Sequence, residues 1–225
     1  MEDKEKIAIK ALDYVENNSV VGLGTGSTAN YFIKHLSRQI EQENLNISVV
    51  ASSTASEIEA NKYSLNLLGF DTLEGLDLYV DGADEISPQL DLLKGKGYDL
   101  VKEKLLAQSA EKFIVIADSS KKVKFIGENN LIPIEVLKDS WRLTKNLLDQ
   151  LGNGDLRKNA KGDAYSISSA GNYIFDYKFK EKNIKLLHDS LLVIPGVAEI
   201  GIFHNIADNA LIINNGDIEI ISLNK

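Results

Sequence analysis

The amino-acid sequence predicts an α/β protein in which a mostly parallel sheet is accompanied by a smaller α+β unit. Over residues 1–120, short apolar runs alternate with segments whose apolar residues recur at helical spacing. That alternation is typical of parallel strands covered by helices on both faces. After about Gly127 the predicted order becomes β-α-β-β-α-β, the order of a ferredoxin-like unit. We therefore predict one domain over 1–128 and a small α+β domain over 129–203, and we expect the strands of 204–225 to rejoin the first sheet.

The elements of the first domain follow from the spacing of apolar residues. Ile7, Ala11 and Val15 recur at helical spacing, as Leu36 and Ile40 do, and each set predicts a helix. Short apolar runs that end in glycine or polar residues predict strands. In chain order the predicted elements are helix 4–16, strand 20–23, helix 28–40, strand 47–51, a helix from Ser53 or Thr54 to about residue 63, strand 77–80, helix 98–110 and strand 113–117.

The elements of the second part of the chain are predicted from the same kinds of pattern. A hairpin is predicted from strands 164–168 and 173–179, because Ala170-Gly171 between them favours a turn. The last two strands are expected to turn at Asn214-Asn215-Gly216. The other predicted elements are strand 132–136, helix 141–151, helix 181–190, strand 197–203, strand 210–213 and strand 217–222.

Composition and charge exclude several classes of function. The 225 residues carry 25 Lys and Arg against 33 Asp and Glu, a net charge of −8. This balance argues against a general nucleic-acid or anionic-membrane binder, which needs clustered positive charge. The absence of cysteine excludes disulfide scaffolds, cysteine-ligated metals and thiol catalysis.

The same features lead us to expect a soluble cytoplasmic protein. The start of the chain is charged rather than apolar, which argues against a secretory signal. The longest nearly apolar run, 191–198, is far shorter than the ~20 residues of a membrane helix. His35, His188 and His204 lie far apart in the sequence and show no metal-ligand spacing, so we assign all three to structural or surface positions.

A glycine-rich segment, Gly22-Leu23-Gly24-Thr25-Gly26-Ser27-Thr28, joins the first predicted strand to a helix. Its glycines let the backbone approach a ligand, and the free N–H groups at a helix start favour an anion. A P-loop would need a Gly-Lys-Ser/Thr sequence that is absent. A dinucleotide site would need a third glycine at Ser27 and an acidic residue after the second strand. The remaining interpretations are a site for one small phosphate monoester and a simple capped turn.

Asp81-Gly82-Ala83-Asp84 follows another predicted strand, at the edge where open α/β sheets bind ligands. Two carboxylates three residues apart on a glycine-containing loop can face one pocket, where they can accept sugar hydroxyls or relay protons. A Mg²⁺ site would want further oxygen ligands. Taken alone, a solvated acidic turn is an equally good interpretation.

Three charged features follow further along the chain. A lysine beside glycines, as in Lys94-Gly95-Lys96-Gly97, can place positive charge near a developing oxyanion. Glu103 lies early on a predicted helix, and Lys121 lies just past a predicted strand. In isolation both residues are typical of solvated surface charge.

Taken together, these segments occur in the order found in ribose-5-phosphate isomerase of the A type, which the sequence resembles over nearly its whole length. The segments that carry the resemblance are Thr25-Gly26-Ser27-Thr28, Asp81-Gly82-Ala83-Asp84, the Lys94 glycine segment, Lys102-Glu103-Lys104 and Ala117-Asp118-Ser119-Ser120-Lys121, with Gly196-Val197 and Gly201-Ile202-Phe203 similar to a late segment of that family. Each segment is weak alone, and their order and spacing make the resemblance specific.

The resemblance implies interconversion of ribose 5-phosphate and ribulose 5-phosphate in the pentose phosphate pathway. It implies a Rossmann-like domain with a small α+β domain, no metal or organic cofactor, and a homodimer or homotetramer. Carried over by position, Glu103 resembles the base that moves a proton between C2 and C1, and Lys94 the charge that stabilises the enediolate. Asp81 and Asp84 resemble the groups that bind sugar hydroxyls and assist ring opening. The implied substrate-binding positions are Thr25, Gly26, Ser27, Thr28, Asp81, Gly82, Ala83, Asp84, Lys94, Gly95, Lys96, Gly97 and Lys121, with Lys4 as a further phosphate contact.

Two segments depart from the family pattern. Lys96 stands where the family has glycine, so a positive φ at this position would be strained. Ser169-Ala170-Gly171-Asn172 stands where the family has an acidic, asparagine-bearing turn. This difference affects turn geometry or oligomer contacts more than chemistry.

Two alternative functions stay open at this point. One is another sugar-phosphate isomerase or deaminase, and the other is a diverged sugar-phosphate-binding protein without turnover.

Overall fold

Thirteen strands and six α-helices follow one another within residues 1–223, the part of the chain that the computed structural model describes. The strands are β1 (Val20–Leu23), β2 (Ser48–Ala51), β3 (Leu76–Asp81), β4 (Glu85–Ile86), β5 (Leu92–Leu93), β6 (Ala110–Asp118), β7 (Ile132–Val136), β8 (Gly152–Leu156), β9 (Tyr173–Phe179), β10 (Val197–Ile200), β11 (Ile202–Phe203), β12 (Asn209–Asn214) and β13 (Asp217–Ser222). The helices are α1 (Asp3–Ala11), α2 (Ser27–Glu43), α3 (Thr54–Lys62), α4 (Leu100–Ser109), α5 (Trp141–Leu148) and α6 (Ile184–Leu192).

Contacts divide the chain into two units. The larger unit contains residues 1–83, 102–121 and the C-terminal strands from Ile206 onward, and the smaller unit contains residues 84–101 and 122–205. The structure thus groups 84–101 and 122–128 with the smaller unit, whereas the sequence-based boundary near residue 128 counts them in the first domain. These segments carry β4 and β5, which are only two residues long and give no periodic signal.

The sheet of the larger unit has the strand order β13-β12-β6-β3-β1-β2. Every neighbouring pair from β2 to β12 is parallel, and β13 is antiparallel to β12. The predicted mostly parallel sheet is therefore confirmed. Because parallel strands end at the same edge, the segments that follow β1, β2, β3 and β6 meet at one edge of this sheet.

The core of the larger unit lies between this sheet and its helices. Apolar residues at helical spacing face the sheet from α1 and α2, among them Ile7, Ala11, Phe32 and Leu36, all fully buried. The side chain of Ser53 accepts a hydrogen bond from the N–H of Ser56 and begins α3 with a capping box. The N-terminus of α3 is thereby fixed at the carboxyl end of β2.

The smaller unit is built on a four-stranded antiparallel sheet with the order β10-β7-β9-β8. Counted within this unit, the chain order β7-α5-β8-β9-α6-β10 and this sheet order are those of a ferredoxin-like fold, as the sequence predicts. The core packs Phe175 and Tyr177 of β9 against Leu148 and Leu187 of the two helices.

One predicted strand of this unit is wrong. The hairpin partner of β9 is β8 (Gly152–Leu156), and the predicted strand 164–168 makes only isolated bridges, through Tyr165 and Ile167. Two glycines and two polar residues in the sequence of β8 hide the period-2 pattern of a strand. The glycines are required there because a Cβ on Gly154 would lie 2.3 Å from the carbonyl oxygen of Asp176.

The predicted strand 197–203 is divided at Gly201. Its first part, β10, pairs with β7, and its second part, β11, joins β5 and β4 in a separate three-stranded sheet. Gly201 permits this change of partner because a Cβ there would lie 2.5 Å from the carbonyl oxygen of Lys94. No helix in residues 1–223 has the length and apolarity needed to cross a membrane.

Candidate active site

The glycine-rich segment of the larger unit forms a tight connection between β1 and α2. The N–H of Gly24 donates to the carbonyl of Val80 at 2.9 Å, and a Cβ on Gly24 would lie 2.2 Å from Oδ1 of Asp81. Gly26 has φ +113° and is the N-cap of α2, a conformation that favours glycine. The first N–H groups of a 17-residue helix are therefore presented at this edge of the sheet.

Hydroxyl groups tie this loop to the end of β2. The hydroxyl of Thr25 lies 3.1 Å from that of Ser52 and 2.6 Å from that of Ser53. Both serines are buried, and Ser53 is the N-cap of α3. Two helix N-termini are thus held next to one another by a short chain of hydroxyls. Such an arrangement offers several hydrogen-bond donors to an anion.

Two lysines of the larger unit belong to the same predicted set. The ammonium of Lys4 donates to the hydroxyl of Ser27 at 3.0 Å. Lys121 ends a short helical turn after β6. The turn is shaped by Asp118, whose Oδ1 accepts from the N–H of Ser120 at 2.9 Å. Lys4 is therefore in contact with the glycine-rich loop, and Lys121 lies on the segment that leaves β6 at the carboxyl edge of the sheet.

Asp81 fastens the end of β3 to the glycine-rich loop. Its Oδ1 accepts hydrogen bonds from the N–H of Thr25 at 3.0 Å and from the N–H of Gly82 at 2.7 Å. Its Oδ2 accepts from the hydroxyl of Tyr79. Asp81 is fully buried, so these bonds fix both carboxylate oxygens with respect to the loop.

Tyr79 is a residue of this cluster that the sequence analysis does not identify. It is fully buried and stacks on Phe113, with ring centroids 5.0 Å apart. Burial, and then the carboxylates of Asp81 and Glu103, raise the pKa of Tyr79 well above its ordinary value, which keeps its hydroxyl a neutral donor. In the sequence it is one apolar-face residue of β3, with no sign that its hydroxyl reaches Asp81.

Glu103 lies in the first turn of α4 and is 5% exposed. A buried carboxylate is energetically costly, and it is placed favourably at the positive end of a helix. Its charge acts on the buried hydroxyl of Tyr79. The structure therefore brings Thr25, Asp81 and Glu103 into one cluster around Tyr79 in the larger unit. Sequence periodicity alone would have left Glu103 on a solvated helix face.

In the smaller unit, Lys94 follows β5 and is buried, with 4% exposure. Its N–H donates to the carbonyl of Gly201 at 2.9 Å, and its ammonium lies 5.7 Å from the ring centroid of Phe203. Asp84, also in this unit, is bonded through its N–H to the carbonyl of Leu93 at 2.8 Å. The backbone bonds of both residues therefore belong to the three-stranded sheet and its ends.

The glycine segment after Lys94 is held by an arginine that the sequence analysis does not single out. Nη1 of Arg157 donates to the carbonyls of Gly95 at 2.8 Å and Gly97 at 3.1 Å. Its Nε donates to Oδ2 of Asp176 at 2.8 Å, and Nη2 donates to Oδ1 of the same carboxylate. A bidentate pair of this kind fixes the guanidinium plane, so the loop carbonyls meet a rigid donor.

Lys96 does not have the backbone strain that a positive φ at this position would cause. Positive φ falls on Gly95, at +97°, and not on Lys96. The Lys96 side chain is mostly exposed, and its ammonium lies 4.0 Å from Oδ1 of Asp84 and 3.5 Å from Oδ1 of Asn130. An exposed pair at this distance is weak, but it places a lysine charge beside Asp84.

The second departing segment contacts this loop as well. The N–H of Ser169 donates to the carbonyl of Tyr98 at 3.0 Å. Asn172 and Ser168 donate to the buried carboxylate of Glu135, at 2.9 Å and 2.6 Å. The turn is therefore anchored on both sides within the smaller unit, and it supports the backbone that follows the lysine-glycine segment.

A cavity of about 350 Å³ opens in the smaller unit beside these residues. It is lined by Asp84, Lys96, Asn130, Arg157 and Asp176, with apolar contributions from Leu93, Leu131 and Pro133. Its size is in the range of small-molecule sites.

Among residues 1–223, no three His, Cys, Asp or Glu side chains converge as metal ligands. His188 and His204, distant in sequence, do approach one another, with ring centroids 5.9 Å apart.

Comparison with known sequences gives one consistent result. A family model described as ribose 5-phosphate isomerase A (phosphoriboisomerase A) matches residues 48–217. Ribose-5-phosphate isomerase A 2 of Oceanobacillus iheyensis is 38% identical over 220 residues, which are 97% of each chain. Ribose-5-phosphate isomerase A of Thermococcus kodakarensis is 37% identical over 214 residues, which are 94% of this chain and 93% of the relative.

Solved structures give the same result for the fold. Ribose 5-phosphate isomerase A from Methanocaldococcus jannaschii has a TM-score of 0.92 at 32% identity, with 98% of both chains covered. A D-ribose-5-phosphate isomerase in complex with phospho-erythronic acid has a TM-score of 0.93 at 33% identity, again with 98% of both chains covered. The similarity therefore extends over both units of the chain.

Proposed function

The chain belongs to the ribose-5-phosphate isomerase A family, and from this we propose that it interconverts D-ribose 5-phosphate and D-ribulose 5-phosphate in the non-oxidative pentose phosphate pathway. The observation that carries the proposal is the full-length relationship to proteins of that name. The buried carboxylate of Glu103 and the buried ammonium of Lys94 are its chemical support. The reaction moves one proton from C2 to C1 and another from the C2 oxygen to the C1 oxygen, and it needs a base and a group that stabilises the enediolate.

Glu103 is the base in this proposal. A proton next to a carbonyl is weakly acidic, so the carboxylate must come within about 3 Å of it. The low exposure of Glu103 removes competing water, and its backbone is held in a regular helix. The same carboxylate can take the proton from C2 and return it to C1, because both transfers take place on the same face of the planar enediolate.

Lys94 stabilises the negative oxygen of the enediolate. A preorganised positive charge in a site with little water is among the strongest sources of catalysis. Lys94 is suited to this role because its backbone is bonded to Gly201 and its side chain is buried. Lys96 and the Gly95–Gly97 backbone, held by Arg157, are proposed to contact the substrate close to it.

The loop from Thr25 to Thr28 binds the phosphate. Its support is the exposed start of α2, the hydroxyls of Ser27 and Thr28, and the ammonium of Lys4 on Ser27. Lys121 adds a second positive charge. Because the phosphate does not take part in the chemistry, its binding energy orients C1 and C2 with respect to the base.

Asp81 and Asp84 bind sugar hydroxyls and assist ring opening. Three peptide units separate them, so their Cα atoms can be at most about 11 Å apart, a span that a pentose can bridge. Asp81 is fastened by Thr25, Gly82 and Tyr79, whereas the side chain of Asp84 is 19% exposed. We therefore assign the binding of sugar hydroxyls mainly to Asp84. Asp81 aligns the sugar with the phosphate-binding loop, and Gly82 and Ala83 contact the substrate.

The experiment that tests the function is a turnover assay on the purified chain. Added ribose 5-phosphate is expected to be converted to ribulose 5-phosphate, and added ribulose 5-phosphate to give the same equilibrium mixture, as followed by ¹³C NMR. Glucosamine 6-phosphate in a parallel sample tests for deamination. Ribose 5-phosphate binding without turnover, or ammonia release from glucosamine 6-phosphate, would overturn the proposal in favour of a sensor or a deaminase.

The protein is further proposed to form a homodimer or homotetramer through the smaller unit. Leu143 and Leu147 lie one helical turn apart on α5 and are exposed, and Leu151 follows them. Leu186 and Val193, at the two ends of α6, are also exposed. Several large apolar side chains exposed on two helices are typical of a protein interface. A second copy of the chain is the occupant that the family resemblance favours.

Replacing Leu143 and Leu147 together with lysine is expected to lower the molar mass in solution to that of a monomer. The reason is that four charged side chains would replace four apolar ones at the interface of each symmetric pair of subunits. Light scattering coupled to size-exclusion chromatography measures the mass. The matched control is Ile58→Lys, at an exposed apolar position of the larger unit. A wild-type protein of monomer mass would contradict the proposal.

A cytoplasmic location is the last part of the proposal. A pentose phosphate is doubly charged and does not cross membranes unaided, so the enzyme must share a compartment with the reactions that make its substrate. A chain without cysteine gains nothing from an oxidising compartment. Fractionation of the cells followed by detection of the chain in the cytoplasmic fraction tests this location.

A further inference from the structure

The guanidinium of Arg157 holds the backbone of the loop that follows Lys94. Nη1 of Arg157 donates to the carbonyl of Gly95 at 2.8 Å. The same nitrogen donates to the carbonyls of Lys96 at 3.3 Å and Gly97 at 3.1 Å. Three successive peptide units therefore share the donors of one nitrogen, and the loop turns around it.

Asp176 fixes the plane of this guanidinium. Its Oδ2 accepts from Nε of Arg157 at 2.8 Å, and its Oδ1 accepts from Nη2. The two side chains are only 13% and 25% exposed, so the pair is largely shielded from water. Because a guanidinium donates in a rigid planar fork, a carboxylate bound to one edge of it determines the direction in which Nη1 donates.

The strand register explains why Asp176 lies beside the loop. On β9, Phe175 and Tyr177 pack in the core with the helices of the smaller unit. Successive side chains of a strand point to opposite faces, so Asp176 lies on the other face of the sheet, together with its partner Pro133 of β7. A Cβ on Gly95 would lie 3.2 Å from Cβ of Pro133. The loop therefore packs on the face that carries Asp176.

The backbone of Lys94 is fixed on both sides by these contacts. Its N–H donates to the carbonyl of Gly201 at 2.9 Å, and the carbonyl of the next residue, Gly95, is bonded to Arg157. Gly95 has φ +97°, a conformation that favours glycine. Glycines have no side chain to pack, so the shape of this segment depends on the bonds to its carbonyls.

We propose that Arg157 is a positioning residue of the isomerase reaction: held by Asp176, it fixes the Gly95–Gly97 backbone and thereby the direction of the Lys94 side chain toward the enediolate oxygen. The catalytic part of this inference rests on the proposed function. A displacement of about 1 Å in a reacting group can lower the rate by about 10²-fold. Lysine could not replace Arg157, because its ammonium is a point charge without a planar fork.

Arg157→Lys tests this role because it keeps the positive charge and removes the fork. We expect kcat for ribose 5-phosphate to fall by about 10²-fold, while KM changes less than about threefold. The matched control is Arg142→Lys, at an exposed arginine of the same unit, which should keep the kcat of the wild type.

A second measurement does not depend on activity. Gly95-Lys96 is the only Gly-Lys pair in the sequence, and Gly97-Tyr98 is the only Gly-Tyr pair. Glycine labelled with ¹³C at the carbonyl, combined with ¹⁵N-labelled lysine or tyrosine, therefore gives a single correlated NMR signal for each peptide bond. Because a carbonyl carbon moves upfield when its oxygen loses a hydrogen bond, both signals should move upfield in Arg157→Lys and stay in place in Arg142→Lys.

Asp176→Asn is a second variant that keeps the arginine and decides the question if Arg157→Lys does not fold. An amide offers one acceptor oxygen in place of two, so the guanidinium loses its bidentate partner. We expect kcat to fall by about tenfold, within the loss that misplacement causes, and the two carbonyl signals to move in the same direction as in Arg157→Lys.

The outcomes separate this inference from the proposed function. A wild-type protein that does not isomerise ribose 5-phosphate refutes the function, and the carbonyl signals then decide whether Arg157 holds the loop. An active wild type whose kcat is retained in Arg157→Lys and Asp176→Asn overturns the positioning role. Carbonyl signals that do not move in either variant overturn the contact itself.

Discussion

Replacement of Glu103 by glutamine is expected to lower kcat for ribose 5-phosphate by about 10³-fold, within the range that general bases contribute. Glutamine keeps the shape of the side chain and its place in the first turn of α4, but its amide cannot accept a proton from carbon. Since Glu103 is buried, solvent water has little access to replace it. The substrate should still bind, so KM should change little.

The assay uses ribose 5-phosphate carrying deuterium at C2. In the wild type, deuterium should slow turnover and appear partly at C1 of ribulose 5-phosphate, because a single carboxylate carries it between the two carbons. Glu111→Gln, at an exposed position soon after the same helix, is the matched control and should behave as wild type. A Glu103→Gln protein with more than a tenth of wild-type kcat would contradict the assignment of the base.

The effect should be on activity rather than folding. Neutralising Glu103 removes a buried charge from beside Tyr79, whose pKa is raised by burial, Asp81 and Glu103. The thermal unfolding midpoint of Glu103→Gln should stay close to that of the wild type, because glutamine keeps the volume of the side chain and much of its capacity for hydrogen bonds. A large loss of stability would mean that the carboxylate serves the fold, and the loss of kcat could not then be assigned to chemistry.

The sequence predicts the parts of the fold that are governed by local pattern. β1, α2 and β3 are found where apolar periodicity and glycine punctuation place them. The capping residue of α3 is one of the two serine and threonine candidates, Ser53. The ferredoxin-like order of the smaller unit also follows, because its helices and most of its strands are regular.

Elements defined by distant partners are not predicted. β4, β5 and β11 have two residues each, too few to show a period. They exist because β5 pairs with nearby β4 and with β11, which lies more than 100 residues further along the chain. β8 is hidden by its glycines, which are needed where it approaches β9. Such strands are specified by the partner, and a single sequence carries no local sign of the pairing.

Some residues of the candidate site can likewise be predicted from the sequence, and others cannot. Its motif residues stand out because glycines, hydroxyls and charges follow strand ends in a recognisable order. Tyr79 and Arg157 do not stand out, since one lies within an apolar strand and the other follows a polar one. Their roles arise from contacts with Asp81 and with the Gly95–Gly97 backbone. Supporting residues of this kind become visible only when the tertiary contacts are known.

Lys94 can be tested by removing and then restoring its charge, because the chain contains no cysteine. Lys94→Cys is expected to lower kcat by about 10²- to 10³-fold, the usual effect of removing one group that stabilises an oxyanion. Aminoethylation with 2-bromoethylamine then attaches an ammonium at the length of a lysine side chain, and at this position alone. Part of the lost kcat, at least tenfold, should return.

The restored charge is what makes this experiment decisive. Since Lys94 is 4% exposed, alkylation is carried out on the unfolded chain, which is then refolded. The wild type taken through the same steps is the control, because without a thiol it should emerge unmodified and active. The unmodified cysteine and the aminoethylated one share the same backbone and differ only in the ammonium and the two carbons that carry it. If the modified protein refolds, as judged by circular dichroism, and remains as inactive as Lys94→Cys, then positive charge at this position does not stabilise the enediolate, and the role passes to another group of the site.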